Sequence, residues 1–246
     1  MNKILIAVFD SEDAAKAGLQ ALRRLHAEGE LTLYATGVMI KDANGVITVN
    51  TPLQEQPIGA AIGLAVGSMI GLLGGPVGLA VGAVTGTVAG AVRDFWVAGV
   101  GLDFIDEAEK FMQPGKAALV AEIEEDWVNP VDAALEDAGA HVFRRSRAEA
   151  AQAWLSQDIS TFKSEMDALE SEVDRATGDT RERLQSKLKA ASIRHESAVH
   201  RARQWAETLQ QEAEVKAELL LAQLSQAEQP VKGKIEARAR YVSEGY

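Results

Sequence analysis

From position 56 to position 92 the chain carries no charged side chain, and within that run glycine returns at every fourth residue. Gly59, Gly63, Gly67, Gly71 and Gly75 form one series; Gly78, Gly82, Gly86 and Gly90 form a second, and Gly74-Gly75-Pro76 separates them. Residues four apart share one face of an α-helix, so each series predicts a helix with a smooth groove into which another backbone can pack. Ile58, Ile62, Val66, Ile70, Leu73, Val77, Val81, Val84 and Val88 occupy the other faces. Glycine in a helix interior costs roughly 1 kcal/mol, so the nine zipper positions would cost about 9 kcal/mol in water without compensation. Close helix packing and an apolar surrounding both compensate, because hydrocarbon offers the backbone no other hydrogen-bond partner. The expectation is a glycine-zipper helical hairpin over 57–100, whose nine glycines are helix-packing and oligomerisation positions.

Each arm of this hairpin holds about 16 to 17 residues, roughly 25 Å of helix against the ~30 Å of a bilayer core. Such a hairpin either spans a thin bilayer or inserts without crossing. Arg93, Phe95 and Trp96 follow the run and are candidate membrane-interface residues, since an indole beside a cation suits the headgroup boundary. Packing of Trp96 against the adjoining domain accounts for it equally well. The alternative to a bilayer is a hairpin buried inside a soluble homo-oligomer. The run lacks the Gly-Lys-Ser/Thr ending of a phosphate-cradling loop.

The flanking segments have a different pattern. Six apolar residues, Ile4 to Phe9, read as a strand and are too few for a signal-peptide core. Ser11 and the acids after it start a helix with Ala14, Leu19, Leu22 and Leu25 on its apolar stripe and Gly29 at its end. Leu31 to Ile40 forms a second strand, and Asn44-Gly45 turns the chain into Val46 to Val49. Beyond the glycine run, Asp103 to Met112 is helical in character and Pro114-Gly115 stops it. Lys116 to Glu124 is a strand, Pro130 to Gly139 frames a helix, and His141 to Arg144 is the last strand. With the insertion set aside, the order is β-α-β followed by β-α-β, which predicts an α+β fold with a ferredoxin-like split βαβ domain formed by 1–56 and 101–146.

From Arg147 to Ala227 there is no proline and one glycine, predicting a long α-helical coiled-coil arm over 147–229 with a tail at 230–246. Ile159, Phe162, Met166, Leu169, Val173 and Ala176 keep alternating three- and four-residue spacing. Leu184, Leu188, Ala191, His195, Ala198, Ala202, Trp205 and Leu209 resume it after a one-residue slip at Thr177-Gly178-Asp179. The slip is either a stutter in one helix or the tip of an antiparallel hairpin; Gly-Asp, which can cap both helices, favours the hairpin. Trp154 and Trp205 lie on the apolar seams and read as core anchors.

Little in the chain suggests chemistry. Without cysteine there is no thiolate nucleophile or disulfide framework. The net charge of −11 divides into 10 basic against 19 acidic residues over 1–146 and 15 against 17 beyond, so neither part is a basic nucleic-acid surface. His195 and His200 are five residues apart, about 140° around a helix, and cannot hold one tetrahedral metal from a single face. His141 opens a strand with no partner visible in the sequence. Asp103, Asp106, Glu107 and Glu109, with Glu122, Glu124, Glu125 and Asp126, could gather carboxylates for acid–base work or metal binding. The plainer expectation is that they are solvated helix and strand-end residues that keep an acidic protein soluble. No catalytic residue, metal, cofactor, nucleic acid or small-molecule substrate is expected.

Taken together, KILIAVFDSEDAA, LYATGVMIKDANGVITV, GAAIGLAVGSMIGLLGGPVGLAVGAVTGTVAG and VRDFWVAGVGLDFIDEAEKFMQPGKAALVAEIEEDW resemble an uncharacterised bacterial domain-of-unknown-function family usually labelled as membrane proteins. The resemblance covers residues 1–146. It implies a glycine-zipper protein linked to stress responses, with no catalytic residues to carry over. The arm from 147 is a departure, similar only in composition to bacterial stress-response coiled-coil proteins. These readings lead to a non-enzymatic, homo-oligomeric, membrane-associated structural protein with lipid as its partner. Its expected location is the bacterial cytoplasmic membrane, with the soluble parts in the cytoplasm. The alternative is a soluble cytoplasmic oligomer that senses or binds a small ligand.

Overall fold

The computed structural model describes residues 2–50, Leu73 and residues 102–243. Its elements are β1 (Asn2–Phe9), α1 (Glu12–Ala27), β2 (Leu31–Lys41), β3 (Ile47–Asn50), α2 (Leu102–Phe111) and β4 (Ala117–Glu125), then α3 (Asn129–Asp137), β5 (His141–Ser146), α4 (Arg147–Arg175), α5 (Gly178–Gln226) and α6 (Gln229–Ser243). Among the described residues this is a mixed α+β fold with one five-stranded sheet. The chain divides into two compact units, one formed by Met1–Ala150 with Gln211–Tyr246 and the other by Ala151–Gln210.

In the first unit the strands run β3-β2-β4-β1-β5, and every neighbouring pair is antiparallel. Side chains alternate across a strand, so β1 sends Ile4, Ile6 and Val8 to one face and Leu5, Ala7 and Phe9 to the other. On the second face α1 and α3 lay down Leu19, Leu22, Leu25, Val131 and Leu135. On the first, Phe104, Ile105 and Ala108 of α2 pack with Tyr34 and Met39, joined by Val215 and Leu219 of α5. Burial of a large aliphatic or aromatic side chain stabilises by about 1.5–3 kcal/mol, so two such clusters hold the sheet from both sides.

Local signals set the joints. The hydroxyl of Ser11 accepts from the amide of Ala14 at 3.2 Å, capping α1 beside Glu12 and Asp13. Gly29 closes the helix at φ +70, and the amides of Gly29 and Glu30 donate back to the carbonyls of His26 and Leu25. In the β2–β3 turn the carboxylate of Asp42 accepts from the amides of Asn44 and Val46 at 2.9 and 2.8 Å.

The C-terminal residues, expected as the end of the arm and a frayed or separately docked tail, belong to the first unit. Gln211–Tyr246 groups with the sheet, and 229–243 is helical. The end of α5 and α6 share their own apolar cluster of Leu220, Ile235 and Val242, with Ala213, Leu224, Ala227, Val231 and Ala239 against it. Periodicity could not reveal this return, because the side chains that meet the sheet include Lys216, Gln223 and Arg238, types that ordinarily mark a solvent-facing stripe.

The second unit contains α4 from Ala151 onward and α5 up to Gln210. α4 ends at Arg175, and after two intervening residues α5 begins at Gly178, which adopts φ +59. Arg194 meets Glu165 at 2.6 Å and Arg201 meets Asp158 at 3.1 Å, so position falls along α4 as it rises along α5 and the two helices are antiparallel. The guanidinium of Arg194 also lies 5.7 Å from the centre of the Phe162 ring. Among the described residues of this unit, Leu155, Val173, Ala191, Ala198 and Trp205 are buried.

Candidate functional site

β4 carries three carboxylates where the sequence suggested solvated strand-end residues, and the structure corrects that expectation. Glu122 and Glu124 are fully buried and Glu125 is 2% exposed. The cause is topological: β4 lies between β1 and β2 at the centre of the sheet, and both of its faces are covered. A carboxylate in that position must find donors, since an uncompensated buried charge costs several kcal/mol.

Each face supplies donors differently. On the α1 and α3 side, Glu125 meets Arg144 at 2.7 Å and Lys3 at 3.2 Å, while Arg144 also reaches Asp132 at 2.7 Å. Burial is the largest influence on Glu125 and pushes its carboxyl above the usual range, while Arg144 and Lys3 pull the other way. On the opposite face the donors come from residues far along the chain. Lys216 places its ammonium 2.7 Å from Glu122 and 3.6 Å from Glu212, and 5.3 Å from the centre of the Tyr34 ring. Asn2 donates to Glu122 at 3.1 Å, and the Tyr34 hydroxyl to Glu124 at 3.4 Å.

The polar contacts continue along the start of β2. Thr32 donates to Gln223 at 2.6 Å, and the Gln223 amide donates to the carbonyls of His26 and Leu31 at 2.7 and 3.0 Å. Arg238, 2% exposed, donates to Thr32 at 2.9 Å, to Asp126 at 3.0 Å and to the carbonyl of Gly29. His26 accepts the Leu33 amide proton on Nδ1 at 3.2 Å. Its pKa lies below the ordinary imidazole value, chiefly because the ring is partly buried; a hydrogen bond to the Leu31 backbone opposes this, and the Arg238 charge lowers it further. The face is therefore a fastening between sheet and C-terminal helices, built from charge pairs and side-chain-to-backbone bonds. Sequence order alone could not expose it, because its members are up to 209 residues apart.

Gly59, Gly63, Gly67, Gly71, Gly75, Gly78, Gly82, Gly86 and Gly90 lie outside the described residues, as do Arg93, Phe95 and Trp96. From the same run Leu73 is helical and 3% exposed, in the core cluster that contains Tyr34, Met39 and Phe104. Asp103, Asp106, Glu107, Glu109 and Asp126 are exposed, as expected; Asp103 pairs with Arg145 at 2.9 Å, which holds its carboxyl below the usual range. His195 is half-buried and His200 exposed, while His141 is exposed with its ring 5.0 Å from that of Phe111. Among the described residues no group of three His, Asp or Glu side chains is placed to hold a metal ion. No helix among them is long and apolar enough to cross a membrane.

The segment from α2 through β5 lies within a match to a known sequence family. Residues 59–160 match the family model described as Protein of unknown function (DUF1269). The match begins inside the glycine run and ends within α4, so β1, α1, β2 and β3 lie outside it, a different coverage from the 1–146 of the sequence resemblance. No curated protein and no solved structure matches the chain.

Proposed function

We propose that this is a non-enzymatic, self-assembling protein that works on a lipid layer, where glycine-zipper hairpins from several copies pack together. The observation that carries this reading is the uncharged run at 56–92 with nine glycines at four-residue spacing, a composition that favours close helix contact away from water. The run leaves the sheet at β3 and returns at α2, so both of its ends are tied to the same folded unit. In this reading the α+β unit is a base for the hairpin, and the α4–α5 hairpin makes lateral contacts between copies. We read that base as a ferredoxin-like split βαβ sandwich; with edge strand β3 set aside, the order β2-β4-β1-β5 and the helices α1 and α3 on one face support it. The protein acts by packing, at the bacterial cytoplasmic membrane, in a stress response or in membrane shaping.

The test is fractionation of cells followed by high-salt and carbonate washes. Retention in the washed membrane fraction supports the proposal; recovery without detergent as a defined soluble oligomer refutes it. A second reading, a soluble oligomeric sensor with the zipper buried in protein, draws support from Leu73, which sits in the apolar cluster of the sheet. That same soluble recovery is the result it anticipates.

A further inference from the structure

The C-terminal segment is cohesive within itself and polar where it meets the sheet. Leu220, Ile235 and Val242 hold the end of α5 and α6 to each other through apolar contact. The attachment to the sheet relies on Lys216–Glu122, Gln223 with Thr32, His26 and Leu31, Arg238 with Thr32, Gly29 and Asp126, and the pair Lys234–Glu30 at 2.7 Å. Val215, Leu219 and Val231 add apolar contact. Apolar cohesion persists across pH and salt, whereas buried ion pairs and hydrogen bonds depend on the charge state of each member. The segment is thus built to stay folded while its grip changes.

Within that grip, His26 is the group whose ordinary pKa lies between pH 5 and 8. Among the described residues β3 pairs with Val38–Lys41, and none of them pairs with the first half of β2 on that side. Two of its backbone groups are met by side chains instead: the Leu33 amide by His26 and the Leu31 carbonyl by Gln223. From α6 the Arg238 charge acts on His26; Asp126 after β4 pairs with Arg238, Lys234 of α6 pairs with Glu30, and the pair Arg24–Glu28 flanks His26 in the chain. α5 presents the neutral Gln223, which bonds the His26 carbonyl.

We propose that Gln211–Ser243 is a strap that lifts from the first half of β2 as one piece when mild acid places a proton on His26. A proton on Nδ1 removes the acceptor for the Leu33 amide and sets a second positive charge beside Arg238. The direction of the His26 shift agrees: a folded-state pKa below the unfolded value means that stability is fully present above about 6.5 and is lost as pH falls toward the folded value. Release uncovers the part of the apolar cluster of Ile4, Ile6 and Tyr34 against which Val215 and Leu219 pack. The proposal stands apart from the membrane reading, because every residue in it belongs to the α+β unit.

The test is hydrogen exchange of the full chain read by mass spectrometry, corrected for intrinsic rates, from about pH 7.5 to about pH 5.5, the range in which histidine charges. In the wild type, protection of 211–243 and of 31–34 should fall together by about tenfold or more, while α1 stays protected. In His26→Gln, whose side-chain oxygen keeps an acceptor without titrating, that loss should vanish. Equal loss in the variant, no loss in the wild type, or separate loss in the two segments would overturn the proposal. If His26→Gln does not fold, an NMR titration of the wild type decides: strap resonances should move with the His26 midpoint, and a different midpoint refutes the coupling.

Discussion

Lys216→Met is the sharpest probe of the fastening on β4. The ammonium of Lys216 is 1% exposed and lies 2.7 Å from the buried carboxylate of Glu122 and 3.6 Å from that of Glu212. Methionine keeps most of the volume and the contact with Tyr34 but removes the charge, leaving both carboxylates without that cation. Breaking one side of a buried pair costs roughly 3–5 kcal/mol, mostly the penalty of the charge left behind. With a urea slope of about 2 kcal/mol per molar, a loss of about 4 kcal/mol lowers the unfolding midpoint by about 2 M. The assay is urea unfolding followed by pulsed hydrogen exchange of β1 and β4, so that melting of the α4–α5 hairpin does not enter the signal. Lys216→Met combined with Glu122→Gln should recover much of the loss, because the amide no longer needs a cation. A midpoint change below about 0.5 M in the single variant would refute the view that this pair holds the helices to the sheet.

Burial raises the carboxyl of Glu125 against the opposing pull of Arg144 and Lys3. Its folded pKa is raised, so the associated stability is present below the unfolded value and declines as pH rises through the folded one. Glu125→Gln should flatten that decline in a pH series of urea midpoints; an unchanged slope contradicts the assignment. Gly29→Ala should destabilise the α+β unit by at least about 1–2 kcal/mol, since Gly29 has φ +70 and an added methyl collides with Val231. Adding Val231→Ala should recover the steric part only, as thermal melts of the two variants would show. Trp205→Ala should cost about 3–5 kcal/mol in the α4–α5 hairpin, read as loss of amide protection across 151–210 with β1 unaffected.

What could be read from the sequence follows from the range of the forces involved. Ser11, Gly29, Asn44-Gly45 and Pro114-Gly115 act over a few residues, and they bound elements whose apolar alternation is equally local. The break between α4 and α5 was legible for the same reason, as a one-residue phase slip at a glycine. Glu122 and Glu124 were not legible as buried. Acidic residues at the end of a strand resemble a solvated edge unless the strand is known to be central, and strand order is set by pairings across more than a hundred residues. Lys216, the partner of Glu122, was hidden in turn, because a lysine on a charge-rich helix reads as exposed. One signal could have raised the question: Ala117–Val120 is continuously apolar, as suits a strand covered on both faces, and the carboxylates extend that same strand.

The central claim concerns the glycine run, and liposome flotation of the purified full chain tests it most directly, comparing wild type with a variant carrying Gly67→Leu and Gly82→Leu. The account predicts that wild type floats with the vesicles as an oligomer, while the variant keeps a folded sheet but loses the assembly. Wild type that stays at the bottom of the gradient, or a variant that floats and assembles unchanged, would contradict it.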